Sequence, residues 1–134
     1  LNGTRSIKYH GIVKHNKIQK IYLQSDIAVF ASSCETFGQI LIEGMASSLP
    51  TACSNMSTMP EILGDAGEYF DPLNSKSIEL ALHKLIISPK LRNEYSHKSF
   101  AKAKNYSWKK CSSQTFSYLK ETENLFWEKN EKNI

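Results

Sequence analysis

The sequence is poor in the residues that cross-link, span or shuttle. Three cysteines stand among its 134 residues (Cys34, Cys53 and Cys111), none in a C-x-x-C pair. An odd, unpaired set closes no disulfide framework, so these read as free thiols in a reducing compartment. No apolar run approaches the roughly 20 residues of a membrane span. The chain opens Leu1-Asn2-Gly3-Thr4, neither a start methionine nor a signal peptide, and reads as a piece of a longer protein. Internal repeats and low-complexity linkers are absent. His10 and His15 are neither metal-spaced nor flanked by carboxylates, and His83 and His97 fall on expected helix surfaces, so no metal site is expected.

What is present is an ordinary globular composition, 40% apolar and 22% charged, in a chain long enough for one domain with a real core. The net charge of +4 is unevenly placed. Residues 1–75 hold five Lys/Arg against seven Asp/Glu, whereas residues 76–134 hold twelve against six. From Lys84 to Lys110 there are eight basic residues and one acid, Glu94. Such a run is either a solvated helical face or a contact for an anionic membrane. No nucleic-acid-binding motif accompanies it, so nucleic acid is not an expected partner.

The first half alternates strand-like and helix-like patterns. Ile7-Lys8-Tyr9 before Gly11 reads as a strand, and apolar spacing through Ile18, Ile21 and Tyr22 as a helix over residues 14–24. Ile27-Ala28-Val29-Phe30-Ala31 is a continuous apolar run, the pattern of a strand buried on both faces in a parallel sheet. A polar loop follows (residues 32–38), then a helix from about 39 to 47, closed by Pro50. Residues 51–54 are β-compatible. Pro60, Gly64 and Gly67 mark a loop before a short strand at Glu68-Tyr69-Phe70. The rest is helical: Asn74 or Ser75, then Ser88 and Ser107, stand where they can cap a helix, with Pro89 in a first turn. Trp108, beside Lys109-Lys110, reads as a core residue at a helix start rather than as a membrane anchor, and the polar tail from Glu128 as fraying. The fold class is α/β, a three-layer Rossmann-like parallel sheet with a helical C-terminal tail.

Ligands of such sheets bind at the carboxyl ends of the strands, where the loop at residues 32–38 lies. The helix it opens offers unpaired N–H groups and a positive dipole end, a seat for phosphate or sugar hydroxyls. Gly38, lacking a side chain, lets a ligand approach the backbone. Glu43 lies roughly 7–8 Å further along the axis. Glu35 and Glu43 could thus meet the two ends of a nucleotide-sugar with its diphosphate between them, since carboxylates accept both protons of a vicinal diol. Taken alone, the same pair also reads as a capping acid and a solvated helix residue.

The stretch Glu35-Thr36-Phe37-Gly38-Gln39-Ile40-Leu41-Ile42-Glu43 resembles the E-x7-E signature of the GT-B-fold retaining glycosyltransferases, the group 1 family (glycosyltransferase family 4). Ser54-Asn55, Pro60-Glu61-Ile62, Gly64-Asp65-Ala66-Gly67 and Asp71-Pro72 follow that family's pattern in order and spacing. Tyr9-His10-Gly11, the passage from Tyr22 to Ala28, and Tyr106-Ser107-Trp108 resemble further motifs. The sequence departs from the pattern at Gly44, where Ala is usual, and at Ser48, where a turn favours Gly. The resemblance implies a role for each position. Glu35 would act at the reacting carbon, as the catalytic residue. The backbone of Phe37, Gly38 and Gln39 would hold diphosphate and sugar hydroxyls. Ile40 would pack on the donor and Glu43 would hold the ribose. It implies no metal or cofactor. It also implies a nucleotide-diphospho-sugar donor and a glycan or lipid-linked acceptor. The setting expected is cytoplasmic, with peripheral contact to the inner face of a membrane. On this reading residues 1–134 are the C-terminal nucleotide-sugar-binding part of such an enzyme, with the N-terminal acceptor domain absent. Two other readings stay open: a nucleotide-sugar epimerase of the same architecture, and a non-catalytic α/β interaction module.

Overall fold

A computed structural model describes residues 6–131, with side chains to residue 127. Nine elements follow one another: α1 (His15–Leu23), β1 (Ala28–Phe30), α2 (Gln39–Ala46), β2 (Thr51–Ser54), α3 (Met59–Leu63), β3 (Gly67–Phe70), α4 (Ser75–Ile87), α5 (Pro89–Ala103) and α6 (Trp108–Glu131). The three strands form one parallel sheet in the order β1-β2-β3. Ala28 stands opposite Thr51, which in turn stands opposite Gly67.

Helices cover both faces. On one, Leu41 and Met45 of α2 and Met59, Ile62 and Leu63 of α3 pack around Cys53 of β2. On the other, Ala81 and Leu85 of α4 pack on Ala52 and Phe70, joined by Leu91 and Tyr95 of α5. Adjacent residues of β2 therefore feed opposite layers, as the two-residue period of a strand requires. Further along α5, buried Ser99 donates to the Ala66 carbonyl at 3.0 Å and Ala103 joins the α2–α3 layer, so this helix ties the layers together. The α/β three-layer expectation is met, including the helical C-terminal segment.

The capping residues read from sequence act as such. Asn74 accepts from the amides of Lys76 and Ser77, Ser88 from Leu91, and Ser107 from Lys110. Ser48 closes α2 at φ +59°. Its amide donates to the Met45 carbonyl, and that of Leu49 to the Gly44 carbonyl, the two bonds of a Schellman ending that favours glycine.

Four expectations need correction. Residues 7–10 form no strand; Ile7 and Tyr9 lie exposed, with nothing packed on them to repay the ordering of a strand. The strand buried on both faces is β2, not β1, whose Val29 is 49% exposed and which pairs on one side only among the described residues. The loop at residues 55–66 contains α3, since Pro60 sits in the first turn, where its missing N–H costs nothing. Trp108 is 77% exposed rather than core. The polar tail continues α6 as far as Glu131; residues 132–134 lie outside the described part.

Much of the basic run is engaged within the fold. Lys84 pairs with Glu68 at 2.9 Å, Lys98 with Glu94 and Asp65, and Lys102 with Asp65. Arg92 donates to the carbonyls of Leu85 and Ile86, closing the end of α4, and Lys104 lies over the Phe100 ring. Among the described residues no helix is long and apolar enough to cross a membrane.

Candidate functional site

The loop between β1 and α2 is where the sequence-expected site residues lie, and its shape is set from two sides. Ser32 donates to the Cys34 carbonyl at 3.2 Å, tightening the turn that leaves the strand. The peptide of Glu35 is then bound by the loop after β2: its N–H donates to Ser57 Oγ at 3.2 Å, Ser57 Oγ donates to its carbonyl at 2.7 Å, and Thr58 Oγ1 adds a longer bond at 3.4 Å.

Gly38 is the N-cap of α2 in the left-handed region, φ 68° and ψ 45°, with no side chain capping the helix. Its carbonyl accepts from the amides of Leu41 and Ile42 and so begins the helix. A Cβ here would meet Met59 Cε at 2.8 Å and Ile62 Cδ1 at 3.4 Å. The space left by the missing side chain is thus filled by α3, which corrects the expectation that it is kept clear for a ligand. Glycine is required by backbone conformation and interior packing together. Among the described residues, no protein acceptor meets the amides of Phe37, Gly38, Gln39 or Ile40. These are the orphan donors of a helix start, carrying the positive end of its dipole.

One turn along, the Glu43 carboxylate is held at both oxygens. Tyr22 of α1 donates to Oε2 and Gln39 Nε2 to Oε1, each at 3.3 Å. Burial, and then the charge of Glu43, push the Tyr22 hydroxyl above its ordinary pKa, so it stays a donor. Each carboxylate oxygen retains a free lone pair toward a further partner.

A groove of about 890 Å³ runs between α1, α2 and the start of α6. Gln39 and Glu43 line one wall and His15 and Tyr22 another, with Trp108 and Gln114 of α6 opposite. Phe37, half exposed, closes one end through an edge-to-face contact with Tyr106, ring centroids 6.1 Å apart. Phe37, Gln39 and Glu43 are therefore brought together. Ile40 is 59% exposed and faces a separate depression beside β1, Gly38 is buried, and Glu35 is half-buried outside the groove lining. Tyr22, Ser57 and Tyr106 were not singled out as site residues from sequence. Tyr22 falls within a passage that carries the resemblance, and Tyr106 precedes a helix cap, but nothing in the string marks Ser57.

Outside the groove, the Cys53 thiol lies in the core. Burial pushes the Cys53 thiol up to about 12, so it is inert at neutral pH. Among the described residues no group of three or more His, Cys, Asp or Glu is assembled that could hold a metal ion.

Known proteins share this fold. The family described as "Glycosyl transferases group 1" matches residues 1–102. The O-antigen chain mannosyltransferase B of Escherichia coli is 32% identical over 120 residues, 88% of this chain and 32% of that protein. The C-terminal domain of a group 1 family glycosyl transferase (LpcC) from Francisella tularensis superposes with a TM-score of 0.63 at 31% identity, over 74% of this chain and 51% of that one. A sucrose-phosphate synthase from Thermosynechococcus elongatus gives 0.79 at 16% identity over 88% of this chain and 30% of that one, a likeness of fold alone. The chain spans about a third of the length of the mannosyltransferase it matches. By its sequence match over three quarters of its length, and with the sheet and helices of a GT-B C-terminal domain, the chain belongs to the group 1 glycosyltransferases.

Proposed function

We infer that this chain is the C-terminal, donor-binding part of a retaining glycosyltransferase that takes a nucleotide-diphospho-sugar. The observation that carries the reading is the row of unpartnered amides from Phe37 to Ile40, one helical turn from a carboxylate held at both oxygens by Tyr22 and Gln39. The amides of Phe37, Gly38 and Gln39 receive the diphosphate, and the helix dipole, equivalent to roughly half a charge, offsets its negative charge without a metal. Glu43 takes the ribose diol; Ile40, which faces the separate depression beside β1, takes no part in this reading. Glu35, on the far side of the amides from Glu43, stands at the anomeric carbon and stabilises the positive charge that develops there.

In the transfer step the bond between the anomeric carbon and the diphosphate oxygen breaks, and an acceptor hydroxyl forms its bond on the same face of the sugar. The hydroxyl's proton leaves with the nucleoside diphosphate. The acceptor is a glycan or a lipid-linked glycan held by a separate N-terminal domain, on the cytoplasmic face of a membrane the protein touches peripherally. The relative's name makes mannose the first donor sugar to test.

The test is thermal stability of the chain with GDP, UDP and ADP and their hexose conjugates. A ligand present at 100 times its Kd stabilises by about 2.7 kcal/mol, a rise of several degrees. Glu43→Ala should abolish that rise. If no nucleotide shifts the wild-type chain, the interaction-module reading replaces this one.

A further inference from the structure

Ser57 is one of two non-glycine residues with a left-handed backbone among the described residues, at φ +58°. The other, Ser48, is explained by the ending of α2. No helix ends at Ser57, which lies in the loop between β2 and α3, where a glycine would be free of strain. What serine supplies there is its hydroxyl, and that hydroxyl makes a reciprocal pair with the backbone of a single residue: it accepts from the Glu35 N–H at 3.2 Å and donates to the Glu35 carbonyl at 2.7 Å. Thr58 Oγ1 adds its bond to the same carbonyl at 3.4 Å. Glu35 itself sits in a loop, so no helix or strand ladder fixes its backbone.

We propose that Ser57 is a positioning residue for glycosyl transfer: a strained serine that clasps the Glu35 peptide and fixes where its carboxylate stands relative to the amides of Phe37–Ile40. The proposal rests on the reading of Glu35 as the catalytic carboxylate. Strain retained in exchange for a contact to a reacting group is what functional loops characteristically store. The clasp also couples two loops distant in sequence, 22 residues apart, so that Glu35 answers to the loop after β2 rather than to α2.

Ser57→Gly separates positioning from stability, because it relieves the backbone while removing the hydroxyl. Three measurements are made: hydrogen exchange at the Glu35 amide, melting temperature, and release of nucleoside diphosphate by the full-length protein. The donor for the last is whichever nucleoside diphosphate hexose in a panel stabilises the wild type. Expected are exchange at Glu35 at least tenfold faster, a melting temperature unchanged or raised, and kcat lowered at least tenfold with KM within twofold. Unchanged exchange at Glu35, or kcat within twofold of wild type while Glu35→Ala lowers it a hundredfold, overturns the proposal and leaves the assignment of Glu35 intact. Wild-type kcat in Glu35→Ala overturns the assignment of Glu35, and the catalytic role of Ser57 with it.

Discussion

Gly38→Ala puts two explanations of the same glycine in opposition. If the missing side chain existed to admit a ligand, alanine would fold normally and lose only donor binding. The structure requires a stability cost with no ligand present. At φ 68° an L-residue other than glycine is strained by about 1–2 kcal/mol. The new Cβ would also stand 2.8 Å from Met59 Cε and 3.4 Å from Ile62 Cδ1. The Met59 tip can swing away, so this crowding adds only about 1 kcal/mol, the low end for an overfilled core. Against these stands about 0.4–1 kcal/mol gained because alanine has fewer unfolded conformations to lose. The net loss is about 1–2.6 kcal/mol, which for 134 residues lowers the melting temperature by about 3–9 °C. Thermal unfolding followed by circular dichroism reads this directly. Gly44→Ala supplies the internal control: it lies inside α2, and its Cβ would make an ordinary contact with Ala28 Cβ at 3.4 Å. It should gain up to about 1 kcal/mol of helix propensity. A Gly38→Ala protein that melts with or above wild type would refute the packing argument.

Other perturbations test other parts of the fold and site. Gly67→Ala drives a Cβ onto the Thr51 carbonyl oxygen in the fully buried β2 and to 2.7 Å from Leu63 Cδ2. Backbone cannot give as a methionine tip does, so a loss of about 3 kcal/mol or more is expected in urea unfolding. Tyr22→Phe removes one donor from Glu43; nucleoside diphosphate affinity by calorimetry should fall about three- to tenfold, the worth of a single partly exposed hydrogen bond. Alkali should unfold the protein early: burial pushes Cys53, Tyr69 and Tyr95 up to about 12. Their folded forms hold protons more tightly than the unfolded chain, so the stability they contribute is whole below about pH 9 and is lost as pH climbs toward 12. A urea midpoint that stays flat from pH 8 to 11.5 would contradict those shifts.

Helices were legible where local chemistry sets them. Asn74, Ser88 and Ser107 announce their helices because a cap needs only a side-chain oxygen and the next two or three amides. Strand burial was not legible, because it depends on neighbours. Ile27–Ala31 is the most apolar strand-like run, yet among the described residues β1 has a partner on one side only, while the small residues Thr51-Ala52-Cys53-Ser54 take the centre. The string carries the side chains but not which strand lies between two others. Trp108 shows the same gap: its place after a cap fixes a helix start, and what the helix rests against decides whether the ring is covered.

The candidate site divides along the same line. Seven residues separate Glu35 from Glu43, and the spacing invites reading them as points on one ruler. The left-handed turn at Gly38 ends the ruler: only Glu43 is fixed by α2, while Glu35 belongs to a loop whose peptide is bound from β2's far end. The two acids therefore have independent supports, Tyr22 and Gln39 for one and Ser57 and Thr58 for the other. Pairs with no shared partner behave additively. Tyr22→Phe combined with Ser57→Gly should accordingly show the nucleotide-affinity loss of the first and the turnover loss of the second, each at its single-variant size. A double variant whose losses exceed their product would mean that the acids are coupled through the helix start after all, and that α2 moves as one piece with the loop before it.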